Sequence, residues 1–304
     1  MSGPRVVRAR AFAPGHVTGI FAPSPAARDP RARGSIGAGL VLELGVSAAA
    51  EFRAGTGRTT RVLADVDRPL PISEEVARRL RPARRGALTV RLVHHLPIGQ
   101  GFGMSAAGAA ATALAVAAVA GHSRRVALET AHLADLFGAG GLGGVAAIAD
   151  GGGLELRRRA GLAPWGRVEH ARFDGAVFVG VAGAPLPSPR LLGRASFLER
   201  VAAAAGPLPD LLRHPSPVRF FDASERFTDR LGLAPPPLRR VVTALRARGA
   251  RAAQAMFGRS FFAYAPNARA RRRVVAWLTD HRLPALELRT ALTGAHRLRA
   301  AQPF

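Results

Sequence analysis

Residues 97–107 read Pro-Ile-Gly-Gln-Gly-Phe-Gly-Met-Ser-Ala-Ala. They stand between a strand-like segment, Leu88–Leu96, and an alanine-rich segment of helical composition running from Met104 to about Ala120. Strand, glycine loop, helix is the order an anion site needs. Glycine lets the backbone take positive φ and approach a ligand closely. The following helix turns its unpaired N–H groups and the positive end of its dipole back toward the loop. Together they cradle phosphate without a basic side chain. Pro97, Gly99, Gln100, Gly101, Phe102, Gly103, Met104, Ser105 and Ala106 are therefore the candidate anion-binding residues. Ser105, in the first helical turn, is placed to cap the helix or to bind a metal. Three glycines alone would favour a plain turn ahead of a buried helix, so the rest of the chain has to decide.

The chain has 44 basic residues against 20 acidic ones, a formal charge of +24, and every one of those cations is arginine. Without lysine there is no Walker A loop, which ends in Gly-Lys-Ser/Thr, and no Schiff-base or pyridoxal-phosphate chemistry. Without cysteine there are no disulfides, thiol catalysis or thiolate metal sites, which fits a cytoplasmic location. An arginine excess can attract nucleic acid. Here the arginines are scattered, with short clusters at Arg78–Arg85, Arg157–Arg159 and Arg269–Arg273, and aromatics make up only 6%. No stacking platform is evident, and no nucleic-acid partner is expected. Met1–Arg10 lacks the apolar run of a signal peptide. Ser105–Gly121, the longest uncharged apolar stretch, falls short of the roughly 20 strongly apolar residues of a membrane span, so no membrane partner is expected either.

The 304 residues suit one large domain or two closely packed ones. Strands are expected at Val6–Phe12, Ile36–Val46, Ala49–Ala54, Thr60–Val66, Leu88–Leu96 and Ala176–Val181, with a turn-rich segment after the first at Pro14-Gly15-His16. Helices are expected at Glu74–Leu80, Met104–Ala120 and Val126–Phe137, ahead of a glycine cluster from Gly138 to Gly153. Beyond residue 180 the texture turns helical, at Leu191–Ala204, Val218–Leu231, Pro237–Arg248 and Ala268–Leu278. Ala252–Phe257 and Phe261–Ala265 flank the turn Gly258-Arg259, and Ala285–Leu288 is the last expected strand. This order is α+β rather than a regular βαβ alternation, with units expected at 1–180 and 181–304.

Four segments together resemble the GHMP kinases, named for galactokinase, homoserine kinase, mevalonate kinase and phosphomevalonate kinase. Pro97 through Ala107 resembles their second motif. Pro14-Gly15-His16-Val17-Thr18-Gly19 resembles the N-terminal substrate motif in the form typical of the pantoate kinase branch, and Gly34-Ser35-Ile36-Gly37-Ala38-Gly39 matches the same branch. Gln254 through Ala263 resembles the third motif, a Gly-turn between strands. The resemblance implies a ribosomal-protein-S5-like N-terminal domain and a ferredoxin-like C-terminal one. It implies ATP and Mg²⁺ as cofactors, with the loop on the triphosphate and Ser105 on the metal. It implies His16, Thr18, Gly37, Gly258 and Arg259 near a pantoate-like hydroxy acid, and a homodimer. The activity implied is ATP-dependent phosphorylation of (R)-pantoate to (R)-4-phosphopantoate, a step of archaeal coenzyme A biosynthesis. Arg259 is also a candidate to supply the charge that a lysine would otherwise bring.

One part of that pattern is broken. The branch carries a Glu on the helix before the second glycine cluster, to hold Mg²⁺, and nine residues later an Asp in a Thr-Gly-Leu-Gly-Asp-Val run, to orient or deprotonate the attacking hydroxyl. Here Asp135 stands at the Glu position, and the later run reads Gly140-Gly141-Leu142-Gly143-Gly144-Val145, with Gly144 where the Asp belongs. Asp135 is thus the candidate second metal ligand and catalytic carboxylate. Three accounts are open: catalysis by positioning alone, substitution by Asp150 or His132, or a degenerate relative that binds without turnover. Phosphoryl transfer is mainly positioning and charge neutralisation, so the first is chemically sound. A GHMP kinase acting on another small alcohol is a further alternative.

Overall fold

A computed structural model describes residues 6–24, 27–138, 140–185 and 194–299. Two long strands, β1 (Val6–Ser24) and β2 (Gly34–Ala54), pair antiparallel along almost their whole length and form the spine of a seven-stranded sheet. β1 does not stop at Phe12. It runs through Pro14-Gly15-His16, and what reads locally as a turn is a register shift between Pro14 and Gly15, followed by a second between Thr18 and Ile20. Bulges absorb residues that a regular ladder cannot, bending the strand while pairing continues.

β2 changes neighbours midway. Its second half pairs with β4 (Gly86–His94), which lies parallel to β3 (Arg58–Ala64) across the helix α1 (Pro71–Leu80). Its first half pairs with β5 (Gly153–Arg159), and β5 with β6 (Arg167–Ala171). The sequence reading missed β5 and β6, because a run of three arginines looks like solvated surface. In fact residues 153–157 are buried between two partner strands.

Helices pack over the sheet. α2 (Met104–Ala120) is buried almost all round. Alanine's small side chain lets β1, β2, α1 and α3 (Arg124–Phe137) approach it closely. α3 starts at Ser123, whose hydroxyl accepts from the Val126 N–H. α4 (Gly144–Ile148) is a short helix inside the glycine cluster, where none was expected.

β7 (Val177–Val181) opens a second sheet, with strand order β10-β7-β9-β8, completed by β8 (Arg251–Gln254), β9 (Ser260–Tyr264) and β10 (Ala285–Leu288). Along the helical stretch come α5 (Ala195–Ala204), α6 (Leu208–Arg213), α7 (Pro217–Leu231), α8 (Pro236–Arg246) and α9 (Ala268–Asp280). Residues 191–193 of the expected first helix lie outside the described residues. Phe261 and Phe262 alternate across β9. Phe261 packs with Leu238, Leu245 and Val274 of α8 and α9, and Phe262 with the rings of Phe220 and Phe221 on α7. The chain then returns, and β11 (His296–Leu298) pairs with β1. A division at residue 180 therefore cuts inside β7 and leaves β11 on the N-terminal sheet. No helix among the described residues is long and apolar enough to cross a membrane.

Candidate active site

The glycine loop is held from behind by its carbonyls. The Phe102 carbonyl accepts from the His16 N–H at 3.0 Å, and that of Gln100 accepts from the Ser260 hydroxyl. Gly99, Gly101 and Gly103 all have φ between 70° and 78°, a region side chains disfavour. Among the described residues, no backbone or side-chain acceptor takes the N–H groups of Gly99 through Ala106. α2 begins at Gly103 with no side-chain cap. Loop and helix end thus present free amides, the condition for an anion site.

These amides line a cleft of about 140 Å³. From the sequence candidates it gathers His16, Thr18, Gly99, Gly101, Phe102, Gly103, Met104, Ser105, Ala106 and Asp135. Ser105 does not cap its own helix. Its hydroxyl donates instead to Asp135 Oδ1 at 2.8 Å. A Cβ at Gly140 would lie 2.1 Å from that carboxylate oxygen and 2.4 Å from the Ser105 hydroxyl, so only glycine leaves the pair room. Burial pushes the Asp135 carboxyl up to about 6, with the Ser105 bond acting against the shift.

Several expected residues stand elsewhere. Pro97 is exposed and off the cleft wall. The Gln100 side chain spans the two sheets, donating to the Gly183 carbonyl at 2.8 Å and accepting from the Arg259 N–H at 3.2 Å. It is thereby occupied in seating the loop. Gly258 packs on the Gln100 carbonyl, where a Cβ would come within 2.0 Å. Arg259 lies against Gly183, and neither residue of this turn lines the cleft, whereas Met256 and Phe257 do. Asp150 is 70% exposed and pairs with Arg124 at 3.0 Å, so it is no substitute for a carboxylate at position 144. His132 is buried but also off the cleft. Gly144, the first residue of α4, does line it, and a Cβ there would meet the Ala106 Cβ at 2.6 Å.

The cleft is also lined by residues that the sequence does not single out as site candidates: Phe21, Ser35, Leu142 and Arg157. Arg157 is buried in β5, and its Nη1 donates to Glu155. Glu155 Oε1 also accepts from His16 Nε2 at 2.8 Å, and the Thr18 hydroxyl lies 3.4 Å from His16 Nδ1. Gly37 is not on the wall but makes room for it. A Cβ at Gly37 would lie 2.7 Å from Arg157 Nη2, and one at Gly39 would lie 2.3 Å from His16 Nε2. The available signal was a Glu and an Arg two apart between leucines in 154–157, opposite a glycine-rich strand. Burial pushes His16 below its ordinary range, only partly offset by its bond to Glu155. Burial would raise the Glu155 carboxyl, but the Arg157 charge and the His16 bond outweigh it and hold it low.

An amide-lined loop beside a hydroxyl–carboxylate pair, with a buried arginine on the same cleft, is an arrangement suited to phosphoryl transfer. The "GHMP kinases N terminal domain" family matches residues 71–152. A pantoate kinase of Thermococcus kodakarensis is 30% identical over 242 residues, covering 78% of this chain and 80% of the relative. A pantoate kinase of Methanospirillum hungatei is 30% identical over 268 residues, 85% of this chain and 88% of the relative. Among solved structures, a "phosphotransferase related to CoA biosynthesis pathway" superposes with a TM-score of 0.86 at 27% identity, covering 97% of this chain and all of that one. A mevalonate kinase of L. major in complex with R-mevalonate shares the fold, with a TM-score of 0.68 at 14% identity, covering 96% of this chain and 99% of that one. The chain belongs to the GHMP kinases and is a small-molecule kinase. Its α+β architecture is that family's fold, and its relatives at 30% identity are pantoate kinases.

Proposed function

We propose that this kinase transfers a phosphoryl group from ATP to the primary hydroxyl of (R)-pantoate, giving (R)-4-phosphopantoate, the coenzyme A step found in archaea. The observation that carries the reading is the make-up of the cleft, which brings unclaimed loop amides and the Ser105–Asp135 pair together with the Arg157 guanidinium. The amides of residues 99–106 fit the phosphates of a nucleotide. Ser105 Oγ and Asp135 are hard oxygen donors that suit Mg²⁺. The described residues contain no group of three or more His, Cys, Asp and Glu side chains able to hold a metal, so phosphate and water oxygens would have to complete the shell. Bound Mg²⁺ supplies neutralisation of phosphate charge. Arg157 and Ser35 meet the carboxylate end of the acceptor, and Phe21, Met256 and Phe257 cover its apolar body. The two-unit division near residue 180, the cytoplasmic setting and a homodimer belong to the same proposal.

An ADP-release assay with ATP, Mg²⁺ and a panel of small hydroxy acids tests it. Saturable turnover with pantoate is expected. Turnover of a different alcohol, and none with pantoate, would reassign the acceptor.

Position 144 gives a second expectation. The carboxylate implied there by resemblance has no space, because its Cβ would press on the rigid Ala106 methyl. Gly144→Asp alone is expected to gain no activity and to lose stability through displacement of α4. Ala106→Gly combined with Gly144→Asp, at about 1 kcal/mol of helix propensity, is expected to raise kcat at least about tenfold if the proton-accepting role is vacant. An unchanged kcat in a folded double variant would show that positioning alone suffices.

A further inference from the structure

Where His16 and Arg157 line the cleft, they and Glu155 form a cluster of three polar side chains almost fully removed from water. His16, Glu155 and Arg157 are 3%, 0% and 3% exposed. Such a cluster is a poor source of stability, since desolvation of the charges offsets their attraction. The fold nevertheless clears space for it at Gly37 and Gly39 on the paired strand. One oxygen of Glu155 serves both neighbours, while its Oε2 and the Arg157 Nε have no partner. Among the described residues that line the cleft Arg157 is the one arginine, and it is paired with Glu155.

A guanidinium holds a carboxylate through paired N–H bonds whose geometry persists when its charge is balanced. A phosphate or sulfate dianion makes the same paired bonds but carries twice the charge, so the net charge at the arginine weighs about twice as heavily on it. A kinase works among phosphate, nucleotides and phosphorylated product, so an unbalanced buried arginine at the acceptor end would trap them. We propose that Glu155 is a specificity-determining residue: by cancelling the charge of Arg157 it lets the cleft take a hydroxy-acid carboxylate while releasing phosphate-like dianions. The inference rests on the kinase reading for the identity of the acceptor, but its test does not require turnover.

Sulfate and inorganic phosphate are the probes, titrated at constant ionic strength against the melting temperature of the full chain. Glu155→Gln is expected to bind them at least about tenfold more tightly than the unmodified chain, the size of effect one nearby charge exerts at an intermediate dielectric. Glu155→Asp, which keeps the charge, is expected to stay within about threefold. Equal sulfate affinity in Glu155→Gln and the unmodified chain overturns the proposal. Should Glu155→Gln fail to fold, the double variant Glu155→Leu with Arg157→Met, which removes both charges together, decides. Its sulfate affinity should lie within about threefold of the unmodified chain, and a drop of about tenfold would show an unbalanced Arg157 charge and overturn the proposal. A gain in sulfate affinity without any pantoate turnover would sink the acceptor assignment and leave this inference standing. Pantoate turnover with unchanged sulfate affinity in Glu155→Gln would do the reverse.

Discussion

Replacing Asp135 by Asn is expected to abolish most phosphoryl transfer and, at alkaline pH, to make the ligand-free chain more stable. The two effects share one cause. Asp135 is buried and takes a single hydrogen bond, from Ser105, and its carboxyl is raised from 3.8 to about 6. The folded chain therefore binds this proton more tightly than the unfolded one. The stability that preference confers is complete below pH 3.8 and is lost as pH rises through about 6. Above that window the fold carries an ionised, poorly solvated carboxylate at a cost of about 3 kcal/mol. Asparagine cannot ionise, so Asp135→Asn should melt several degrees higher than the unmodified chain at pH 8, with the gap closing near pH 4. It also removes the one charged ligand on offer to the metal, so kcat should fall at least about 100-fold. In the unmodified enzyme, kcat/KM, which reports the ligand-free state, should decline as pH drops through about 6 and the carboxylate takes up its proton. Melting curves at the two pH values and a pH–rate profile check these claims. Full activity in Asp135→Asn would remove the residue from the mechanism.

Arg157→Met is expected to damage both the fold and the acceptor site. Removing one partner of a buried ion pair leaves the other uncompensated, at 3–5 kcal/mol in typical cases. The lower end, about 3 kcal/mol, applies here because His16 remains on Glu155. The KM for the hydroxy acid should rise about tenfold to 100-fold, the worth of a charge-assisted hydrogen bond to the ligand, while the KM for ATP stays unchanged because the loop amides are untouched. Combining Arg157→Met with Glu155→Leu should recover the stability, since a buried pair can give way to apolar residues without net loss, and leave the raised KM in place. Chemical denaturation of the single and double variants, with KM measured for each substrate, separates packing from recognition. Equal rises in both KM values would mean that Arg157 supports the whole cleft rather than one end of it.

The local elements were largely legible. The helix of residues 104–120 and the strand of residues 285–288 follow from patterns within each segment, because propensity, capping and period act over a few residues. The loop's capacity for an anion was equally legible, since glycine spacing and a helix N-terminus are contiguous in sequence. Pro14-Gly15 misled because a bulge and a turn draw on the same residue types, and only the pairing of Gly15 with Leu42 and Pro14 with Gly45 tells them apart. β5 misled because Arg157–Arg159 gives no local sign that two other strands enclose it.

The chain's order of residues thus determined the phosphate cradle and the elements on either side of it, which depend on neighbours in sequence. Which charged groups share the cleft was decided by the tertiary fold alone. Asp135 and Asp150 are alike as residues, yet packing turns the first onto Ser105 and leaves the second on the surface with Arg124. Gly37 lies opposite Arg157 only through the register of β2 on β5. Contacts between segments more than a hundred residues apart leave no mark in either segment, because each side chain's burial and charge environment is supplied by the other.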